Sequence, residues 1–301
     1  VRRLIAILLL ALVAVAARAD EPDALGEARR ATAAGDLPAA IRAYDAYLSQ
    51  HPDDQEVRLE AAKIRSWAGE YAAAIDAYRA HLTATPDDRR TRLELAKVLS
   101  WAERYDESVA EFERLLVDSP TDREPLLGLA RVQSWSGNFP ASIAAYEKLV
   151  QADPADVEAR VGLGRTLSWS GDLQGAEKQY DAALAVSPEN AGALLGKAQV
   201  AHWTGEEREA ARFLERAEAA APEDRDVVAF RAELERSARP VVESSFDRVQ
   251  DTDGNDYKVF RASAAFRIAP GMTLAGVYSR AEAFLGRRQE NTCVAWVDQE
   301  G

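Results

Sequence analysis

Cysteine is nearly missing from this 301-residue chain: Cys293 stands alone, which excludes an internal disulfide and a zinc site built on paired cysteines. Histidine is scarce too. His51, His81 and His202 lie far apart, without metal-ligand spacing. Basic residues are outnumbered, 37 Lys and Arg against 50 Asp and Glu, for a formal net charge of -13. Such an acid excess argues against nucleic acid as a partner, because phosphates need a basic footprint. It also opposes simple electrostatic attraction to anionic lipid headgroups. No catalytic constellation is legible, so a non-enzymatic protein without cofactor or metal is expected. Gly162-Leu163-Gly164 lies in helical sequence and is no phosphate loop. Asp251 to Asp256 looks briefly like a calcium loop, but Gly254 is misplaced and Ala262 stands where the bidentate glutamate belongs. Asp-Gly chemistry favours a β-turn there.

Long apolar runs are also lacking, with one exception at the start. Arg2 and Arg3 precede the apolar stretch Leu4 to Val15, and Ala17-Arg18-Ala19 follows as a small-x-small cleavage signature. This pattern predicts a secretory signal peptide over residues 1–19, too short for a spanning helix, and an exported mature chain from Asp20. Cysteine does not follow the cleavage site, so lipoprotein anchoring there is not expected. Without Arg2, Arg3 and Arg18, 34 basic residues face 50 acidic ones.

What the chain does have is a period. Pro52, Pro86, Pro120, Pro154, Pro188 and Pro222 recur every 34 residues, and Trp67, Trp101, Trp135, Trp169 and Trp203 keep the same step. That interval predicts six helix-turn-helix repeats over residues 20–240, with Arg225 to Arg239 as a capping helix. With the proline at position 32, the repeats begin at Glu21, Gln55, Arg89, Arg123, Val157 and Ala191. Position 8 is always small (Ala28, Ala62, Ala96, Ala130, Gly164, Ala198), as is position 20 (Ala40, Ala74, Ser108, Ser142, Ala176, Ala210). Position 24 is nearly always aromatic (Tyr44, Tyr78, Phe112, Tyr146, Tyr180, then Leu214). Small residues let helices approach, and the aromatic fills the space between neighbouring pairs. Gly35, Gly69, Gly137, Gly171 and Gly205 mark the turn inside each repeat, and Asp54, Asp88, Asp122, Asp156, Asn190 and Asp224 are placed as helix N-caps. These spacings resemble the tetratricopeptide repeat, whose A-x-x-x-F…P half matches across about 200 residues.

At about 100° per residue, positions 2, 5, 9, 12 and 13 of the first helix gather opposite the core side. In the repeat this resembles, that side lines a concave groove. Here it carries a cation at position 9 (Arg29, Lys63, Lys97, Arg131, Arg165), a hydroxyl at position 12 (Thr32, Ser66, Ser100, Ser134, Ser168) and the indole at position 13. Indole faces stack on sugar rings or aromatic groups, serine and arginine supply hydrogen bonds, and arginine suits planar anions. The candidate binding residues are therefore Lys63, Trp67, Lys97, Trp101, Arg131, Ser134, Trp135, Arg165, Ser168, Trp169 and Trp203. Two other readings compete with this one. The tryptophans could be packing wedges, and Lys63 and Lys97 could pair with Glu60 and Glu94 three residues before them. At position 6 the middle repeats carry Gly128, Gly162 and Gly196, either for close helix approach or to clear room beside Trp135, Trp169 and Trp203.

After Pro240 the pattern changes to alternation with period two. Val241 to Val249, Tyr257 to Ile268 and Thr273 to Phe284 read as antiparallel strands, with Pro270-Gly271 as a tight turn. A mostly apolar face against a polar one fits the first strands of an outer-membrane-type β-barrel over residues 241–285, although a soluble antiparallel sheet would alternate similarly. Residues 286–301 read as an irregular tail. The 61 residues from Val241 to Gly301 fall short of the roughly 80 that eight strands need, so an incomplete barrel is expected.

Signal sequence, Ser-Trp repeats (Leu99-Ser100-Trp101, Ser134-Trp135-Ser136-Gly137, Leu167-Ser168-Trp169) and strands opening on Ser244-Phe246-Asp247-Arg248 together resemble bacterial proteins that join tetratricopeptide repeats to an outer-membrane barrel, the YaiO type. The resemblance implies a periplasmic scaffold attached to the outer membrane, serving polysaccharide export or biofilm assembly. Its groove would take an envelope protein or a secreted polysaccharide. The alternative is a general protein-interaction module holding a peptide or helix, with a purely structural tryptophan ladder.

Overall fold

The computed structural model describes residues 23–237, 241–250, 256–269, 272–283 and 289–299. The expected signal peptide, 1–19, lies outside the described residues, as do the Asp251–Asn255 segment and the Pro270-Gly271 turn. The chain divides into two compact units, residues 1–149 and 150–301.

The described residues contain thirteen helices. They are α1 (Ala24–Ala33), α2 (Leu37–Gln50), α3 (Gln55–Trp67), α4 (Tyr71–Ala84), α5 (Arg89–Trp101), α6 (Tyr105–Leu116), α7 (Arg123–Trp135), α8 (Phe139–Ala152), α9 (Val157–Ser170), α10 (Leu173–Val186), α11 (Ala191–Trp203), α12 (Glu207–Ala220) and α13 (Arg225–Ser237). Each of the six predicted repeats is one helix pair, with α13 last.

The starts and stops follow from local chemistry. Asp54, Asp88, Asp156 and Asn190 accept hydrogen bonds from the backbone N–H of Val57, Thr91, Ala159 and Ala193, at 2.9–3.1 Å. Each such cap contributes about 1 kcal/mol by satisfying a donor the helix cannot. Asp122 makes no side-chain cap bond. The five turn glycines have φ between 75° and 91°, the left-handed region where a Cβ is penalised. In the third repeat Glu103 fills that place with φ 59°. Arginines tie down the proline loops: Arg58 donates to the Pro52 carbonyl, Arg92 to Pro86, Arg160 to Pro154 and Arg216 to Pro188.

Within residues 1–149 the small positions 8 and 20 are buried. Ser108 and Ser142 each donate 2.7 Å hydrogen bonds to the carbonyls of Ala96 and Ala130 across the helix pair. One core gathers Ala28, Ala40, Tyr44, Val57 and Ile64; another gathers Ala62, Ile75, Tyr78, Leu95 and Leu99. A third joins Ala96, Phe112, Leu115 and Val132. Burying each large apolar side chain contributes about 1.5–3 kcal/mol. Residues 150–237 repeat the scheme with Ala176, Tyr180, Ala183, Ala193 and Val200, then Leu194, Leu214, Val227 and Phe230.

At position 6, Gly128 and Gly196 make room for the aromatic at position 24 of the preceding repeat. A Cβ on Gly128 would sit 2.4 Å from the Phe112 ring, and one on Gly196 would sit 2.2 Å from the Tyr180 ring. At the last interface the sizes are exchanged, with Leu214 at position 24 and Phe230 at position 6, both buried.

Residues after 240 form a meander of β1 (Val241–Gln250), β2 (Asp256–Ala269), β3 (Met272–Ala283) and β4 (Gln289–Gln299), in the order β1-β2-β3-β4, antiparallel throughout. Strand β4 corrects the expectation of an irregular tail over 286–301: it pairs with β3 from Met272↔Gln299 to Glu282↔Gln289. Charged and polar residues hid this strand, because backbone pairing holds it as much as side-chain alternation does. Phe246 and Phe260 are direct cross-strand partners, and Ala262 faces Tyr278, which puts all three rings on one face. All three are exposed.

Candidate ligand-binding faces

Each tryptophan of the ladder closes the first helix of its repeat. Trp67, Trp101, Trp135 and Trp203 are the last residues of α3, α5, α7 and α11, and Trp169 is next to last in α9. Their exposures, in chain order from Trp67 to Trp203, are 52, 41, 46, 46 and 47%. An indole wedged between helices would be as inaccessible as Tyr180, which is 2% exposed. The five indoles instead present about half their surface at a fixed register.

The cations at position 9 differ from repeat to repeat. Arg29 reaches into the next repeat, with Nε 3.1 Å and Nη2 2.8 Å from the two Glu60 oxygens. Glu60 therefore does not serve Lys63, whose ammonium lies 5.2 Å from the Trp67 ring centroid in a cation–π contact. The Arg29 hydrogen bond holds the Glu60 carboxyl below its ordinary range. Lys97 keeps Glu94, at 3.4 Å, and adds Glu124 of the next repeat at 2.8 Å. Burial works against the Lys97 charge, but the Glu124 and Glu94 carboxylates outweigh it and raise the ammonium pKa. Arg131 is exposed and has an interaction partner. Arg165 is exposed and, among the described residues, has no hydrogen bond or ion pair.

The hydroxyls are a correction. Ser134 and Ser168 are only 6% and 9% exposed, and Ser66 and Ser100 are also buried. Ser66 and Ser100 fold back onto the carbonyls of Lys63 and Lys97, at 2.7 and 2.6 Å. Position 12 lies only about 40° around the helix from core position 8, so a short side chain there falls under the neighbouring helix.

Among the described residues, a pocket in each unit takes in some of these side chains: Lys63 in one, and Arg165, Trp169 and Trp203 in the other. The first, about 320 Å³, lies within residues 1–149 and is lined by Glu56, Glu60, Lys63, Tyr78, Arg90 and Glu94, among others. At its base the Tyr78 hydroxyl is buried without a hydrogen-bond partner, and burial next to Glu94 pushes its pKa up. The equivalent Tyr44 hydroxyl bonds Glu60 at 3.1 Å. The second pocket, about 270 Å³, lies within residues 150–301 and is lined by Arg165, Trp169, Gln199, Trp203, Asp226, Phe230 and Glu233, among others. It gathers three of the expected site residues, Arg165, Trp169 and Trp203, with Gln199 at position 9 of the following repeat. Asp226, Phe230 and Glu233 had no place among the expected site residues. Continuing the 34-residue register into α13 places them at positions 2, 6 and 9, which is the signal that finds them. Among the described residues no three His, Cys, Asp or Glu side chains gather as a metal ion requires, and no helix is long and apolar enough to cross a membrane.

Paired helices of 10–14 residues, tied by proline loops and presenting side chains at fixed positions, define a helical-repeat scaffold, a fold that is typically non-enzymatic and used for interaction. The tetratricopeptide-repeat model matches residues 31–91, 136–185 and 170–234, more than half of the chain, and the chain belongs to that family. Among solved structures it is similar to a tetratricopeptide repeat protein from Parabacteroides merdae ATCC 43184, with TM-score 0.61, 15% identity, and coverage of 71% of this chain and 85% of that one. It is also similar to PilW, a widely conserved type IV pilus biogenesis factor, with TM-score 0.56, 21% identity, and coverage of 67% and 94%. A thermophilic tetratricopeptide protein from Thermus thermophilus gives TM-score 0.51, 16% identity, and coverage of 60% and 99%. No curated protein sequence matches the chain.

Proposed function

We propose that this protein is an exported, non-enzymatic scaffold of the bacterial envelope, acting in polysaccharide export or biofilm assembly. Its repeats stand in the periplasm and hold a ligand against their tryptophan-bearing faces. Its strands are the opening of an outer-membrane-type barrel, as in the YaiO-type proteins its sequence resembles. The observation that carries this reading is the half-exposed indole at the same position of five successive repeats. Exposing large aromatics without a partner is unfavourable, so five in register call for something that covers them. The shared exposed face of Phe246, Phe260 and Tyr278 supports a sheet that meets lipid. The test is complementation of a deletion strain with the full chain or with a Trp67, Trp101 and Trp135 triple alanine variant. Wild type is expected to restore surface polysaccharide and biofilm mass, and the variant to fail at equal protein level. Equal restoration by both overturns the reading.

A second reading, a general module holding a peptide or helix of an envelope protein, is favoured by family membership and by the charged rim of the first pocket. It predicts a co-purifying protein that is lost on charge reversal at Arg131 and Arg165, and unchanged recovery counts against it.

A further inference from the structure

We propose that the pocket flanked by Trp169 and Trp203 binds a pyranose unit of an uncharged oligosaccharide. The proposal rests on the reading of the indole faces as binding surfaces and names the chemistry of one of them. Three observations within residues 150–301 carry it. First, both half-exposed indoles line one concave space of about 270 Å³, close to the lower end of small-ligand sites. Flat apolar walls of this kind suit the C–H faces of a sugar ring.

Second, the floor is kept low. Gly196 lies beneath, where a Cβ would meet the Tyr180 ring at 2.2 Å, and Gly192 adds no side chain. The pocket floor therefore combines Gly192 with the Tyr180 ring packed against Gly196.

Third, the rim carries unused polar capacity of both kinds. Arg165, Gln199, Asp226 and Glu233 have no side-chain hydrogen bond or ion pair among the described residues. In the pocket within residues 1–149 three of the four lining carboxylates are already engaged. There Glu60 is taken by Arg29 and Tyr44, Glu94 by Lys97, and Asp88 by His81 and Thr91. A sugar hydroxyl donates and accepts at once, so a rim with a guanidinium, an amide and two carboxylates matches a polyol. A peptide anchor of a single charge would leave either the acids or the arginine unanswered. With one cation against two carboxylates, the rim also disfavours a polyanionic glycan.

The experiment is calorimetric titration of the full chain with cellohexaose, chitohexaose and a hexameric oligogalacturonate. Saturable binding of at least one uncharged hexasaccharide is expected, with weaker binding of the galacturonate. Trp169→Ala and Trp203→Ala should each weaken affinity about tenfold, the size expected for loss of one stacking face. Trp169→Tyr should restore most of it, so a misfolded alanine variant would not imitate the result. If neither uncharged sugar binds, or if binding is indifferent to both tryptophans, the proposal is overturned. If the sugars fail while deletion of the indoles still abolishes complementation, this inference falls and the scaffold reading stands.

Discussion

Replacing Gly196 by alanine tests why the middle repeats interrupt their helices with glycine. In an ordinary helix interior the change gains about 1 kcal/mol, because glycine is that much poorer than alanine. Here the new Cβ would stand 2.2 Å from Cζ of Tyr180, and that ring is buried and cannot swing out to water. Overpacking of this kind costs about 1–3 kcal/mol, so the single variant is expected to be neutral to about 2 kcal/mol less stable. Propensity and clash are separated by a double-mutant cycle with Tyr180→Leu. In that background the obstacle is gone and Gly196→Ala should stabilise by up to about 1 kcal/mol. The coupling is therefore about 1–3 kcal/mol, unfavourable between the alanine and the tyrosine. The natural Leu214 and Phe230 pair, large where glycine sits and aliphatic where tyrosine sits, is the same compensation already made. Urea unfolding of the four proteins, followed by circular dichroism, measures it. A coupling of zero would refute the claim that the glycine exists for the ring.

Glu103→Gly should stabilise the chain by about 0.5–1 kcal/mol, because Glu103 holds the left-handed φ of 59° that glycine adopts in five other repeats. The thermal midpoint should rise accordingly, and a fall would contradict the assignment. Acid stability offers a third check. The Val57 amide, with help from the Tyr47 hydroxyl, holds the Asp54 carboxyl below its ordinary value. A depressed folded pKa contributes stability that is complete above the unfolded value near about pH 4 and is lost as pH falls through the folded one. Asp54→Asn keeps a cap but removes the titration, so its stability should fall less steeply below about pH 4 than that of wild type. Equal slopes in denaturant midpoint against pH would contradict this.

The period was legible because it is written in residues with only one good local use. Proline stops a helix, glycine at position 15 allows positive φ, and aspartate after the proline caps the next helix, and Gly171, Asp88 and Asp156 behave so. Positions 8 and 20 could be read as contacts because only small side chains recur there. The site was harder to read because its details depend on what the next repeat places opposite. Ser134 and Ser168 sit at the edge of the polar arc, where a rotation of about 40° decides between surface and core. Glu60 could be assigned to Lys63 by spacing alone, but Arg29 of the preceding repeat reaches it in a two-pronged geometry. Strand β4 was missed because Gln289, Glu290 and Asn291 read as loop chemistry, whereas pairing with β3 holds them as strand.

The central claim is that the tryptophan ladder is a presented surface. Steady-state emission and acrylamide quenching of the full chain carrying Trp296→Phe, which leaves the five ladder indoles, test it most directly. Exposures of 41–52% predict red-shifted emission and ready quenching that a bound ligand would suppress. Blue-shifted emission protected from acrylamide in the unliganded protein would contradict it, and the indoles would then be part of the packing.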